Sequence, residues 1–299
     1  MRSSIFIFTI MVLNVNYVDA QKVGTKLVLL GTGTPFADPK KSGPSLAIVV
    51  NNTSYIVDCG PGVVRRAAEA KELGFSSLEA SQLKKLFITH LHSDHTAGLA
   101  DIIFTPAVLD RNAPIYVYGP PGIKYMTQHI LDAYKEDIDI RINGLEKGDS
   151  IAYKVNVTEI NEGVVYQDTN IQVTAFKVSH GNWKNAFGFV FKTQDKKIVI
   201  SGDCTYSENL IKYAKDCDIL VHEVYSDTGL KKRTKRWQDY HSTFHTSSYQ
   251  LADIANKVKP KLLILNHQLT FGSTLQSLLD EVKSKYDGTI INGFDLSVY

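Results

Sequence analysis

Cysteine is scarce in this chain of 299 residues: Cys59, Cys204 and Cys217 stand far apart, and no C-x-x-C pair occurs. That count excludes a disulfide framework and argues against a thiolate zinc site. Each cysteine sits beside an apolar run, where a thiol packs as a small apolar group, so all three are expected to be free. Long apolar runs are missing too. No stretch approaches the roughly 20 residues that a membrane-spanning helix needs, so no stable span is expected. Charge of one sign is also lacking: 33 basic and 31 acidic residues leave a formal net charge of +2. Global charge therefore does not point to nucleic acid, and any electrostatic argument must be local. There is no Pro/Ser-rich linker, low-complexity segment or fixed-period repeat, which leaves one compact domain.

Only the first stretch stands apart. Arg2 gives a positive start, Ile5 to Leu13 is an apolar core, and Val18-Asp19-Ala20 ends on a small residue before Gln21. This is the pattern of an export signal. Residues 1–20 are expected to be a signal peptide and 21–299 the working domain, secreted or periplasmic.

The mature chain opens on the buried run Lys26-Leu27-Val28-Leu29-Leu30 and the turn Gly31-Thr32-Gly33-Thr34-Pro35. No helix opens after Pro35, which excludes a dinucleotide-binding loop. Asn51-Asn52 between two apolar runs signals a hairpin. Asp58-Cys59-Gly60-Pro61-Gly62 leads into a helix near Val63 to Leu73, closed by Gly74. Further helices are expected near Ile123 to Tyr134, Ser207 to Ala214, Ser247 to Val258 and Leu275 to Tyr286. Residues Ile142 to Tyr166 alternate moderately and read as twisted strands with turns. Runs at Ile171 to Val178, Phe187 to Lys192, Lys197 to Ile200, Asp218 to Glu223 and Lys261 to His267 read as strands, and a terminal strand is expected at Thr289 to Gly293. The segment after His222-Glu223 reads as a basic loop. Sheets inside and helices outside fit this order, arranged as two β/α halves.

The stretch that carries chemistry is His90-Leu91-His92-Ser93-Asp94-His95, an H-x-H-x-D-H loop directly after the apolar run Leu86-Phe87-Ile88. Neutral imidazoles with an ionised carboxylate are a ligand set for Zn²⁺ and similar metals. His90 and His92 share one face, while Asp94 and His95 come from the next turn, so one loop could serve two metals. Three more groups end apolar runs: His180, Asp203 and His267. The spacing suggests His90, His92 and His180 on one ion, Asp94, His95 and His267 on the other, and Asp203 as the bridge. Such a pair holds a hydroxide, lowers its pKa and clamps attacking and leaving oxygens, which suits ester hydrolysis.

Together with Leu30-Gly31-Thr32-Gly33-Thr34-Pro35, Asp58-Cys59-Gly60, Gly119-Pro120-Pro121-Gly122, His180-Gly181, Gly202-Asp203, His222-Glu223 and His245-Thr246-Ser247, this loop resembles the metallo-β-lactamase superfamily, in its ribonuclease Z/arylsulfatase-like branch. The resemblance spans the mature chain and implies a single-domain α/β fold, a four-layer αββα sandwich with two zinc ions at one rim. Iron or manganese would suit the same ligands. It also implies a glutamate–histidine pair that protonates the leaving oxygen, at the positions of Glu223 and His245, with Asp94 counted among the catalytic groups as well as the ligands. His241 competes for the histidine role, since His241-Ser242-Thr243 spells the family's H-S-T; His245 is preferred because Thr246-Ser247 can cap the next helix. Ribonuclease Z enzymes carry a long tRNA-gripping arm between the positions matching His180 and Asp203, where this chain has one hairpin. A bridging Asp203 is likewise unusual for a β-lactamase.

Lys231, Lys232, Arg233, Lys235, Arg236 and Trp237 precede these histidines. With His241 and Trp183 they are candidate substrate contacts, a cationic lip offering Trp183, Trp237 and Tyr240 as stacking faces. The expected function is a secreted dinuclear zinc hydrolase of phosphodiesters or aryl sulfates, acting on an anionic small-molecule or polymeric ester. A ribonuclease Z-type endoribonuclease is the first alternative, with nucleic acid not favoured. A non-catalytic metal-binding module for anionic polymers is the second. A homodimer is compatible with the sequence.

Overall fold

The computed structural model describes residues 24–299, so the export segment expected at residues 1–20 lies outside the described residues. The first sheet follows chain order: β1 (Lys26–Gly31), β2 (Ser45–Val50), β3 (Thr53–Val57), β4 (Lys85–Phe87), β5 (Ile115–Gly119) and β6 (Val155–Glu159). Strands β1 to β3 pair antiparallel, and β3 to β6 pair parallel. The second sheet holds β7 (Gly163–Gln167), β8 (Gln172–His180), β9 (Trp183–Lys192), β10 (Lys197–Ile200), β11 (Ile219–Tyr225), β12 (Leu262–Leu269) and β13 (Ile290–Asn292). It repeats the plan, antiparallel from β7 to β10 and parallel from β10 to β13. The two β/α halves read in the sequence are therefore present.

Period-two alternation decides which face of each strand meets which layer. Leu27 and Leu29 of β1, Ile48 of β2, Tyr55 and Val57 of β3 and Phe87 of β4 point between the sheets. They meet Phe187, Phe189 and Phe191 of β9, Ile198 and Ile200 of β10, Val221 of β11 and Ile264 of β12. The other face of the first sheet, with Val28, Leu30, Ala47, Ile56, Leu86 and Ile88, packs on α1 (Val63–Glu72) and α3 (Leu99–Val108). The outer face of the second sheet, with Val199, Leu220, Leu263 and Leu265, packs on α6 (Glu208–Ala214), α9 (Ser248–Val258) and α10 (Leu275–Lys283). Four layers result, helix–sheet–sheet–helix. The three cysteines are buried free thiols.

Several local expectations are met. Asn51 and Asn52 turn the β2–β3 hairpin with φ of 46° and 56°, left-handed values that Asn tolerates. Ser247 caps α9 in a capping box with Gln250. Among the described residues no helix is long and apolar enough to cross a membrane.

One expectation holds in part and another fails. Of the stretch from Ile142 to Tyr166 expected as twisted strands with turns, β6 and β7 are present, but its first two residues close a helix, α5 (Lys135–Asn143), which follows α4 (Ile123–Ala133). Ile138, Ile140 and Ile142 alternate as a strand would, yet α5 buries none of its residues, and the Arg141–Asp137 ion pair at 3.0 Å supports it along one face. The basic loop is likewise largely helical: α7 (Asp227–Leu230) and α8 (Lys235–Phe244). Trp237, Tyr240, His241 and Phe244 form an i, i+3, i+4, i+7 stripe that the dense Lys/Arg run hid. The chain also ends differently from a plain terminal strand. After β13 it crosses to the first sheet, where Leu27 and Tyr299 exchange backbone hydrogen bonds of 2.9 Å and Asp295 accepts from Thr32 N and Ser42 N. That tail covers the β1 edge and fixes the loop between β1 and β2.

Phe87 is fully buried where the two sheets meet, its ring 5.1 Å from Tyr118 and 5.6 Å from Phe191. Phe87→Ala should cost about 3–5 kcal/mol in a urea titration, the range for a truncated core aromatic. A loss under about 1 kcal/mol would show that the sheets do not pack through this ring.

Candidate metal centre

Strands β3, β4, β8, β10, β11 and β12 all end at one rim, so their last residues meet there. β4 is followed by Thr89 and His90, and His92 to His95 enter the single turn α2 (Ser93–Thr96). Two residues at this rim hold left-handed backbone without being glycine. Asp58 has φ of 58° and His267 φ of 43°. The β11–β12 register shifts between Glu223 and Val224, so Glu223 faces Asn266, Val224 faces Gln268, and His267 bulges out of the ladder. The bulge turns the His267 imidazole into the centre, and strain of this kind is characteristic of functional positions.

The hydrogen bonds around the rings fix which nitrogens face inward. The Thr89 hydroxyl donates to Asp58 Oδ2 at 2.9 Å and accepts from His90 Nδ1 at 3.0 Å. His180 Nδ1 donates to the Phe244 carbonyl at 2.7 Å, and His95 Nδ1 donates to Asp58 Oδ2 at 2.8 Å. The Nε2 atoms of His90, His180 and His95 thereby face the interior. His92 Nδ1 lies 3.0 Å from His90 Nε2 and 3.1 Å from His180 Nε2, while its Nε2 accepts from the Trp183 indole at 2.7 Å. That leaves the His92 proton on Nδ1, inside the cradle, so a cation entering there displaces it. Gly181 makes the approach of Phe244 to His180 feasible: with φ of 50°, a Cβ there would lie 2.2 Å from the Phe244 ring.

The second half of the centre is built around Asp94, His95 and His267. His267 Nε2 is 3.1 Å and His95 Nε2 3.5 Å from Asp94 Oδ2. Asp203 stands between the halves, 3.5 Å from His95 Nε2, 3.6 Å from His267 Nε2 and 4.0 Å from His90 Nε2. The geometry groups candidate ligand atoms as His90, His92, His180 and Asp203, as Asp94, His95 and His267, and as Asp203, His245 and His267, each set within 4.8 Å. Ligands of one tetrahedral zinc lie about 3.3–3.7 Å apart, given bonds of about 2.0–2.3 Å. His95 Nε2 is buried without a hydrogen-bond partner. A buried ring nitrogen among carboxylates, with no hydrogen-bond partner, is a place for positive charge, whether a proton or a metal cation.

Protonation follows the same lines. Burial pushes His92 and His180 down to about 4 and holds His90 well below its ordinary value, so these rings are neutral near pH 7. Burial works against the charge on His95, but Asp203 and Asp58 outweigh it and raise that ring. Asp203 resists its own burial through His267 and His95 and stays ionised.

Beside Asp203 lies the glutamate–histidine pair. Glu223 Oε1 accepts from Thr246 N at 2.8 Å and Cys204 N at 3.3 Å, and Oε2 is 3.4 Å from His245 Nδ1. His245 Nδ1 is also 3.9 Å from Asp203 Oδ2. Burial and Asp203 push Glu223 well up, and burial pushes His245 down to about 4. His241 is one helical turn away, its ring 5.6 Å from that of His245 and 4.4 Å from Phe271. His222 stays behind the strand, with Nε2 3.9 Å from Cys204 Sγ.

The lip is rearranged. Arg233, Trp237 and His241 line a cleft beside the centre, whereas Lys231, Lys232, Lys235 and Arg236 do not. Lys235 pairs with Asp239, the Arg236 guanidinium lies 5.7 Å over Trp237, Tyr240 stacks on Phe244, and Trp183 is engaged with His92. Sequence reasoning gave no role to Asp58, although the Asp58-Cys59-Gly60 turn was noted, and it missed Phe36, Lys41 and Phe271 on the cleft wall.

A family model described as anti-Pycsar protein Apyc1 matches residues 25–276. The chain belongs to that family. Curated relatives of this Apyc1-family chain include a ribonuclease Z of Mycolicibacterium gilvum, 31% identical over 251 residues and covering 81% of this chain and 83% of that protein. A ribonuclease Z of Mycobacterium bovis is 30% identical over 250 residues, covering 81% and 85%. Among solved structures, the metallo-β-lactamase fold protein YhfI of Bacillus subtilis superposes with a TM-score of 0.71 at 17% identity, over 92% of this chain and 99% of that one. Human tRNase Z, short form, does so at 0.65 and 21% identity, over 92% and 98%. The four-layer arrangement is thus the metallo-β-lactamase fold, and the chain is a metal-dependent hydrolase. The reading as a non-catalytic binding module is set aside.

His90→Ala and His267→Ala should each retain less metal than the unaltered chain after dialysis and elemental analysis, with folding checked by circular dichroism. Full retention in both would place the metal elsewhere. With His92 and His180 at about 4 but His95 and His267 raised, acidification of loaded protein should release the ion among Asp94, His95 and His267 first and the ion among His90, His92 and His180 only towards pH 4. Loss of both ions together near pH 6.5 would mean that the His92 and His180 rings are not buried as described.

Proposed function

We propose that the chain hydrolyses a phosphodiester bond in a nucleotide substrate, using two zinc ions. His90, His92 and His180 hold one ion, Asp94, His95 and His267 hold the other, and Asp203 is shared. The observation that carries this reading is the buried Asp203 within 4.0 Å of nitrogens from both halves, with the Glu223–His245 pair alongside. When bound, the metal pair supplies a water activated near neutral pH and neutralises charge building on the phosphoryl oxygens.

The chain's own residues then account for the proton. Burial and the Asp203 carboxylate push Glu223 up and burial pushes His245 down, so the chain's own surroundings favour the neutral form of each. As negative charge builds on the departing oxygen, His245 Nε2 gives up its proton and His245 Nδ1 takes the one from Glu223 Oε2. The leaving oxygen departs as the alcohol, the negative charge it would have carried rests on Glu223, and the pair regains its proton from solvent. Asp58 and Thr89 hold the His95 and His90 rings in the tautomers that leave Nε2 inward. Trp183 and Phe244 pack against the His92 ring and hold its orientation.

The ribonuclease Z name of the curated relatives supports a phosphodiester over a sulfate ester and makes RNA a live second reading, more so than the sequence suggested. A compact substrate is favoured because only the β9–β10 hairpin lies between His180 and Asp203, and because the cleft beside the centre, about 780 Å³, has the size of a small-ligand site. The export pattern of residues 1–20 supports a reaction outside the cytoplasm; fractionated protein beginning at Gln21 would agree with that, and a cytoplasmic chain retaining Met1 would contradict it.

His245→Ala should keep its metal and lose about 10²–10⁴-fold in kcat on a dinucleoside phosphate, the usual worth of a general acid. On an ester with a 4-nitrophenolate leaving group, which departs without a proton, the loss should shrink to below about tenfold. Equal losses on both would remove the proton-donor role, and loss of zinc would make His245 a ligand.

A further inference from the structure

The cleft of about 780 Å³ lies beside the metal centre: Gln268 on its wall follows His267, and His241 lies one turn from His245. Three separate segments bring an aromatic ring to it. Phe36 comes from the loop between β1 and β2, Trp237 from α8 and Phe271 from the loop after β12. Phe36 is 79% exposed and Trp237 39% exposed. The Phe36 loop is nonetheless pinned, through Asp295 to Thr32 and Ser42 and through Phe36 N to Thr34 Oγ1 at 3.3 Å. A phenyl ring displayed in water on a fixed loop adds nothing to the core, but it offers a face.

Charge on the same walls is unspent. Arg233 forms no ion pair among the described residues, and Lys41 Nζ reaches only Gln268 Oε1 at 3.5 Å. Asp38 is the acid on this wall, and its Oδ1 accepts from Lys40 N at 3.0 Å. Aromatic faces interleaved with free cations are what a nucleotide engages, the base by stacking and the phosphate or carbonyl edge by charge.

We propose that this cleft is the subsite for the leaving-group nucleoside, with Phe36 and Trp237 as stacking faces for its planar heteroaromatic ring and Lys41 and Arg233 reading its anionic or carbonyl edge. The assignment to the leaving side rests on the proposed function. His245, the proton donor there, stands between Asp203 and the His241 wall of the cleft, so the oxygen it protonates departs in that direction. The cleft makes Phe36 and Trp237 specificity residues, acting on substrates that carry a base and not on simple esters.

The test separates binding from turnover. The full zinc-loaded chain, which has two tryptophans, is titrated by intrinsic fluorescence with adenosine 5′-monophosphate and with ribose 5-phosphate, and Trp237→Phe assigns the signal. Adenosine 5′-monophosphate should quench Trp237, ribose 5-phosphate should not, and Phe36→Ala should weaken the nucleotide at least about fivefold, the lower end for one stacked base. Equal responses to the two ligands, or unchanged affinity in Phe36→Ala, would overturn the subsite. In kinetics, Phe36→Ala and Trp237→Ala should raise KM for a dinucleoside phosphate and leave methyl 4-nitrophenyl phosphate within about twofold; unchanged KM in both variants would again overturn it. Nucleotide-dependent quenching by protein that cleaves neither ester would instead defeat the proposed function and leave the cleft standing.

Discussion

A buried carboxylate among imidazoles is the constraint on which the rest of the structure turns. Asp203 is 3% exposed and lies at the meeting point of two groups of histidines and of the Glu223–His245 pair. A carboxylate so far from water is stable only with positive charge or donors around it. His95 and His267 supply part of this, and both are held above their ordinary values despite burial. The remaining inward lone pairs, on His90 and His180, have only the single His92 Nδ1 proton between them. Cations resolve that arrangement on both sides of Asp203 at once.

The fold spends its irregularities on this point. Regular alternation packs three apolar interfaces and leaves the strand ends free to differ. At those ends the backbone departs from ideal geometry at Asp58 and His267, and Gly181 and Gly202 take φ of 50° and 61°. Asp58 then serves two rings through one carboxylate, ordering His95 directly and His90 through Thr89. The bulge at His267 is the only place where the β11–β12 register slips. Precise aim at the rim is obtained from regular packing further down the strands.

Much of this was legible in the sequence. The strands declare themselves because apolar runs such as Leu27 to Leu30 and Leu263 to Leu265 are buried on both faces, and the seven candidate ligands stand at the ends of such runs. The family resemblance added the Glu223–His245 pair. Features made by distant segments were not legible. The Asp295 tail, the Phe36 wall of the cleft and the engagement of Trp183 with His92 each depend on which strand ends lie side by side, which no local pattern encodes. α5 and α8 failed for a different reason: both are surface helices with no buried residue, so their periodicity is weak or overlaid by charge.

On the proposed reading, metal binding, chemistry and selectivity occupy neighbouring but separate parts of the rim: ligands on the strand ends, a proton on the Glu223–His245 pair, and the cleft between α8 and the β1–β2 loop. Anomalous scattering at the zinc edge from crystals of the loaded chain tests the central claim most directly. The account predicts two peaks, one among His90, His92 and His180 and one among Asp94, His95 and His267, with Asp203 between them. A single peak, or peaks away from Asp203, would contradict it.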